Sequence, residues 1–233
     1  MVTANSMSVY FPPARASYLL AGHLFFMRYT SKTFLYLKLL MEHTNEKVVF
    51  EGKRYLVYQW EQEMFDGTTQ IFERVEHLPS VTVFAVYQNK LVIQKQIQPH
   101  MEKEVYCVPG GGVDAGEKNL DAAKRELLEE EGLESDDWEY WWQGGRSTSS
   151  YSWMNHIYIA RNCQKVAESH EDAGERIEHL LFTPEEFFTL LDHSDFRHQD
   201  ILPELLEIRG NEEKTHEFLT LLGIKEKTTP FTT

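Results

Sequence analysis

The segment from Gly110 to Leu133, GGGVDAGEKNLDAAKRELLEEEGL, constrains this chain more than any other part of its sequence. Three consecutive glycines predict a loop in which the backbone can approach another group closely, because glycine has no Cβ atom. Residues 119–131 predict a helix, which Asn119 can cap, which carries a stripe of Leu and Ala at helical spacing, and which Gly132 ends. The segment therefore predicts a glycine loop that leads directly into an amphipathic helix.

Three glutamates of this helix are placed to bind a cation. Glu126, Glu129 and Glu130 have the spacing i, i+3, i+4 and fall within an arc of about 100° on one helix face. Like charges placed in this way repel each other and destabilise an isolated helix. Mg²⁺ or Mn²⁺ would relieve the repulsion, since these cations prefer carboxylate and water oxygens and often share them with substrate phosphates. A solvated acidic face is the alternative that the three residues alone leave open.

The spacing around these glutamates favours the cation site. Gly111 is followed by five residues and then Glu117. Seven further residues lead to an Arg-Glu-Leu run at 125–127, two glutamates at 129–130 and Gly-Leu at 132–133. This pattern resembles the Nudix box, with every defining position filled. The resemblance implies an α+β fold, a Nudix α/β/α sandwich with a mixed sheet, and an enzyme that cleaves the pyrophosphate bond of a nucleoside diphosphate derivative.

The resemblance also implies roles for individual residues. The metal ligands would be Gly110 (through its carbonyl), Glu126, Glu129 and Glu130, and the catalytic group would comprise Glu117, Arg125, Glu129, Glu130 and a late-loop glutamate. Mg²⁺ would be the cofactor, with Mn²⁺ as a possible substitute, and Arg125 would orient the carboxylates. Gly111 and Gly112 would let the backbone approach the phosphates. Water would attack one phosphorus in line, with a glutamate as general base.

A wider resemblance, from Lys47 to about Arg209, is to the ADP-ribose pyrophosphatase branch. It implies that an acidic residue of the late loop at 171–182 approaches the metals, with Glu175 as the first candidate, followed by Glu171 and Glu178. It also implies a homodimer in which N-terminal strands carrying Tyr58 and Trp60 face the base. Trp138, Tyr140, Trp141 and Trp142 are further candidates for stacking on the base.

Three positions depart from that branch. Ser149 stands where a proline is common, Gln98 where an arginine is expected near phosphate or ribose, and Cys107 where a glutamate is common. Gln98 is therefore the candidate substrate contact at its position. Nucleoside diphosphate sugars, dinucleoside compounds and other ADP conjugates stay open as substrates. So do two other functions, a house-cleaning nucleoside triphosphate pyrophosphatase and a Nudix-fold binding module without catalysis.

Charge and composition limit which partners and which compartment are expected for the protein. The formal net charge of −14 argues against a nucleic-acid partner, because an acidic surface repels the phosphate backbone, whereas a small nucleotide can bind through cations. No apolar run approaches the roughly 20 residues of a membrane span, so no membrane partner is expected. Two cysteines, outside any metal-binding spacing, favour a reducing cytoplasm.

The chain divides into three predicted regions. Residues 1–40 contain four basic and no acidic residues and are interpreted as an extension outside the core, with a signal peptide or a transit peptide as alternatives. A chain begun at Met41 is expected to fold and work. Residues 41–78 predict an N-terminal β region, and 79–233 a catalytic domain ending in helices. The predicted strands are 47–50, 54–60, 69–75, 81–87, 91–95, 138–143, 155–161 and 177–182, and the later helices 184–191, 198–209 and 212–222.

Overall fold

The computed structural model describes residues 45–170 and 176–225, and these ranges contain eleven strands and four helices. The strands are β1 (Lys47–Glu51), β2 (Tyr55–Glu63), β3 (Thr69–His77), β4 (Ser80–Tyr87), β5 (Lys90–Ile97), β6 (Val105–Cys107), β7 (Leu133–Glu134), β8 (Asp137–Ser147), β9 (Tyr151–Arg161), β10 (Gln164–Lys165) and β11 (Arg176–Phe182). The helices are α1 (Asn119–Glu131), α2 (Pro184–Leu190), α3 (Leu202–Arg209) and α4 (Glu212–Leu222). The predictions for residues 1–40, Glu171 and Glu175 lie outside the described residues.

A mixed sheet forms the centre of the molecule. β9 pairs with β4 in parallel and with β8 antiparallel, and β5 pairs antiparallel with β4, β6 and β11. Because side chains alternate along a strand, β4 serves two cores. Phe84 faces one cluster of buried residues, and Val83 and Ala85 face the other. A strand that is buried on both faces reads as a continuous apolar run, as VTVFAVY does.

The helices cover the two faces of this sheet. Ala123 and Leu127 of α1 pack in the cluster that contains Val83. The other face is covered by α2, α3 and α4, whose buried side chains include Phe187, Leu205 and Phe218. Full burial of each large apolar side chain stabilises the fold by about 1.5–3 kcal/mol. The arrangement confirms the predicted α+β fold with helices on both sides of a mixed sheet.

The N-terminal strands extend the sheet on one side. β1, β2 and β3 form an antiparallel ribbon, and β3 joins the centre through the parallel pairing of Val75 with Tyr151. Arg74 is 6% exposed and makes ion pairs of 2.9 Å with both Glu46 and Glu76. Its guanidinium also lies 4.2 Å from the centre of the Tyr58 ring.

Most of the predicted elements are confirmed, although β8 and β9 are longer than the predicted 138–143 and 155–161, and other differences concern two helices and three short strands. Helix α1 begins at Asn119 itself, so Lys118 takes the cap position and Asn119 does not cap the helix as predicted. The helix predicted at 198–209 begins only at Leu202, and the side chains of His198 and Asp200 before it accept hydrogen bonds from the Val108 amide and from Asn155. Strands β6, β7 and β10, of three, two and two residues, were missed because such short runs carry no period. No helix of the described ranges is long and apolar enough to cross a membrane.

Candidate active site

The glycine loop is pinned to strand β4. Val81 and Gly111 exchange two backbone hydrogen bonds of 2.9 and 3.1 Å, and the Val83 amide donates to the Pro109 carbonyl at 2.8 Å. Gly110 has a φ of 154°, and a Cβ atom on it would lie 2.2 Å from the Val81 carbonyl oxygen. Only glycine fits this close approach, which sets the backbone of residues 109–112 beside the box helix α1.

Arg125 gathers the acidic side chains on the loop side of α1. Its Nε and Nη2 donate to the two carboxylate oxygens of Glu117, both at 3.0 Å. Its Nη1 donates to Glu126 at 2.9 Å and to Glu129 at 3.1 Å. Nη2 also donates to the Gly112 carbonyl at 3.0 Å, so that one guanidinium joins the loop to the helix.

Glu126 and Glu130 are the partly buried members of the carboxylate group, whereas the Glu129 side chain is 52% exposed. Burial raises the pKa of Glu126, and the hydrogen bond from Arg125 opposes that rise. Burial also raises the pKa of Glu130 to about 8, although Gln94 and the Gly110 amide donate hydrogen bonds to it. Carboxylates held out of water in this way favour a cation as partner.

The donor set fits a hard divalent cation. Among the described residues, the carbonyls of Pro109, Gly111 and Gly112 accept hydrogen bonds, whereas that of Gly110 accepts none from the backbone. A free carbonyl oxygen beside carboxylates is the kind of ligand that Mg²⁺ and Mn²⁺ prefer. No three His, Cys, Asp or Glu side chains of the described ranges are drawn together as a finished metal centre. Arg125 donates to Glu126 and Glu129, and Glu130 accepts from the Gly110 amide.

Four other residues that the sequence predicted for the site have their described contacts outside the carboxylate group. They are Tyr58, Trp60, Gln98 and Glu178. Trp60 is 6% exposed and packs on Phe72, and Tyr58 packs on Arg74, so both contacts lie within the N-terminal ribbon. Gln98 follows β5 in a turn, where its carbonyl accepts from the Met101 amide. Of the late-loop candidates, Glu175 and Glu171 lie outside the described residues. Glu178 lies on β11, where it pairs with Lys95.

The structure adds four residues that the sequence reasoning did not select. Gln94 donates to Glu130 and to Glu131, both at 2.9 Å, and accepts from the Cys107 sulfur at 3.5 Å. Burial raises the pKa of Cys107 to about 12, so its sulfur keeps its proton and is a donor. His179 Nδ1 lies 3.0 Å from Glu131. The sequence feature that could have identified Gln94 is its position directly after the apolar run 91–93. A polar side chain in such a place is expected to be buried and to need a hydrogen-bond partner.

Comparison with known proteins gives one matching family model and two related proteins of known name. A model of the NUDIX domain matches residues 76–205. The methanol dehydrogenase activator of Bacillus methanolicus is 30% identical over 130 residues, which are 55% of this chain and 70% of that protein. The ADP-ribose pyrophosphatase of Bacillus subtilis (strain 168) is 28% identical over 159 residues, 67% of this chain and 86% of that one.

A solved structure supports the same fold. The crystal structure of an ADP compounds hydrolase superposes with a TM-score of 0.60 at 19% sequence identity. The match covers 78% of this chain and 95% of that one.

Proposed function

Since the chain belongs to the NUDIX family and is a Nudix hydrolase, we propose that it hydrolyses ADP-ribose or a related nucleoside diphosphate derivative with the help of Mg²⁺. The products would be a nucleoside monophosphate and a sugar phosphate. The observation that carries the proposal is the arrangement of Glu117, Glu126 and Glu129 around Arg125, beside a glycine loop. The ADP-ribose pyrophosphatase relative, matched over 86% of its length, supports the choice of substrate.

The residues proposed to hold the cation are Glu126, Glu129, Glu130 and the Gly110 carbonyl. When bound, Mg²⁺ or Mn²⁺ would neutralise phosphate charge and lower the pKa of a water molecule. Arg125 keeps Glu126 and Glu129 oriented, and Glu117 keeps Arg125 oriented, because each hydrogen bond in this group is charge-assisted.

The proton from the attacking water needs an acceptor. Glu129 is the exposed carboxylate of the group and therefore the one that solvent reaches most easily. Glu175 of the late loop stays the alternative general base proposed from the sequence. Gly111 and Gly112 are proposed to receive the phosphates along the backbone, and Gln98 to contact phosphate or ribose. Tyr58 and Trp60 are proposed to face the base, and no nucleic acid is expected as substrate.

The N-terminal ribbon supports the proposal of a homodimer. Phe50 and Ile71 are each more than half exposed on it, and their partners on β2, Val57 and Glu61, are four residues apart, which places both side chains on the same face. Exposed apolar side chains on one face favour an interface. We expect light scattering after size-exclusion chromatography to give twice the chain mass, and Phe50→Glu to shift the mass towards the monomer. Val166→Glu, at an equally exposed valine away from the ribbon, should leave it unchanged. A wild-type monomer would contradict the dimer.

We propose the cytoplasm as compartment, in line with two buried free thiols.

The function is tested by assaying the chain with Mg²⁺ against ADP-ribose, nucleoside diphosphate sugars, diadenosine compounds and nucleoside triphosphates. AMP and ribose 5-phosphate from ADP-ribose, formed by the wild type and not by Glu129→Gln, are the expected result. Turnover of triphosphates alone would favour the house-cleaning alternative. No turnover, together with unchanged biological function of Glu129→Gln, would favour a binding module.

A further inference from the structure

A chain of buried polar groups runs behind the carboxylates, on two strands and at the end of helix α1. Gln94 of β5 is 1% exposed, Cys107 of β6 is 2% exposed, and Glu131 at the end of α1 is 5% exposed. Polar groups so deeply buried cost several kcal/mol unless each has a partner. Here each has one, so the chain of contacts is built and specific rather than incidental.

The orientation of the Gln94 amide follows from its neighbours. The thiol of Cys107 donates to Gln94 Oε1, at 3.5 Å between sulfur and oxygen. Gln94 Nε2 has two hydrogens, and one is directed to Glu130 Oε2 and the other to Glu131 Oε1, each at 2.9 Å. If the amide were flipped, its oxygen would face two carboxylates, which only accept when ionised. The two glutamates and the Cys107 thiol therefore hold the amide in this orientation together.

Glu131 is itself held from the other side. His179 Nδ1 of β11 lies 3.0 Å from its second oxygen, and Ser169 Oγ lies 3.3 Å from His179 Nε2. The Lys165 ammonium donates to the Glu131 backbone carbonyl at 2.8 Å. Glu131 is thus an anchored acceptor, and the amide that it shares with Glu130 cannot shift freely.

Glu130 accepts both of its described hydrogen bonds on the same oxygen, Oε2, from Gln94 and from the Gly110 amide. None of the described hydrogen bonds of Glu130 involves its other oxygen, Oε1. Resting on the proposed function, we propose that Gln94 is a positioning residue that holds Glu130 Oε2 so that Oε1 is presented to the divalent cation. Cys107 contributes by orienting the Gln94 amide.

The test compares Gln94→Met with Gln96→Met, by calorimetric titration with Mn²⁺ and by steady-state kinetics. Gln96 is the matched control, since it lies two residues along the same strand, is 4% exposed, and donates to Cys107 rather than to a carboxylate. Gln94→Met should bind Mn²⁺ about 10- to 100-fold more weakly, the range usual for groups that orient metal ligands. Its kcat should fall while KM changes little. Gln96→Met should keep its Mn²⁺ affinity within about twofold of wild type.

Two further variants keep the proposal falsifiable if Gln94→Met does not fold. Gln94→Asn keeps the amide but shortens its reach by one methylene, and it should weaken Mn²⁺ binding as well. Cys107→Ser keeps a hydrogen-bond donor and should therefore retain more of the wild-type Mn²⁺ affinity than Cys107→Ala does. Wild-type Mn²⁺ affinity in the folded Gln94 variants, or an equal loss in Gln96→Met, would overturn the role of Gln94 alone. A wild-type chain that binds no Mn²⁺ would overturn the proposed metal site and this inference together.

Discussion

Replacing Glu126 with Gln is expected to lower kcat by about 100- to 1000-fold, with little loss of stability. Glu126 is a partly buried carboxylate that faces the glycine loop, and its side chain is 14% exposed. An amide of the same size keeps the packing but removes the negative charge that a divalent cation requires. It also brings an NH₂ group towards the Arg125 guanidinium, which donates to Glu126 at 2.9 Å in the wild type.

The measurement is steady-state hydrolysis of the substrate identified in the assay above, across a range of Mg²⁺ concentrations. Asp121→Asn is the matched control, because it makes the same chemical change on the exposed side of the same helix. The control should retain wild-type kcat, and urea unfolding should show that both variants are folded. If Glu126→Gln keeps more than about a tenth of wild-type kcat at saturating Mg²⁺, Glu126 is not a metal ligand.

Replacing Gly111 with Ala is expected to reduce turnover about 100-fold while the melting temperature stays close to that of wild type. A Cβ atom at Gly111 would lie 2.4 Å from the Glu126 Cδ atom, which is far closer than carbon atoms approach. The obstructed group is the end of a flexible side chain, so it can move aside at small cost to folding. The carboxylate would then stand away from the position that the loop and Arg125 define.

Gly112→Ala separates this effect from a general intolerance of the loop. A Cβ atom at Gly112 meets no atom within 4 Å, so the position of Glu126 should not change. Mn²⁺ affinity is therefore expected to fall in Gly111→Ala and to stay near the wild-type value in Gly112→Ala, as measured by calorimetric titration. Equal Mn²⁺ affinities in the two variants would show that the contact with Glu126 has no influence on the site.

Helix α1 shows which features of the structure a local sequence pattern can predict. Its bounds, its buried stripe and its end at Gly132, whose φ of 59° lets its amide bond to the last carbonyls, all follow from residues within a few turns of each other. The family resemblance implied that Arg125 orients the carboxylates, and helical spacing brings it to Glu129, whereas its contact with Glu117, which precedes the helix, was not predicted. The predicted features depend on helical geometry, which repeats regularly with sequence number.

The aromatic run after the box shows where local patterns fail. Strict alternation would place Trp141 and Trp142 on opposite faces of β8. The pairing of β8 with β9 shifts register between Tyr140 and Trp142, and both tryptophans pack against the core cluster on the side of α2–α4. A bulge of this kind depends on the partner strand, so the sequence of β8 alone did not reveal it.

The sequence by itself determined the fold class, the catalytic family and the row of carboxylates, because each is encoded in spacings that a short segment carries. Only the tertiary structure decided what stands behind those carboxylates. Gln94 reaches Glu130 from 36 residues away, and His179 reaches Glu131 across 48. These contacts arise because sheet pairing and helix packing bring distant strands together at the end of α1. No periodicity along the sequence predicts these contacts, since they depend on how whole strands and helices pack.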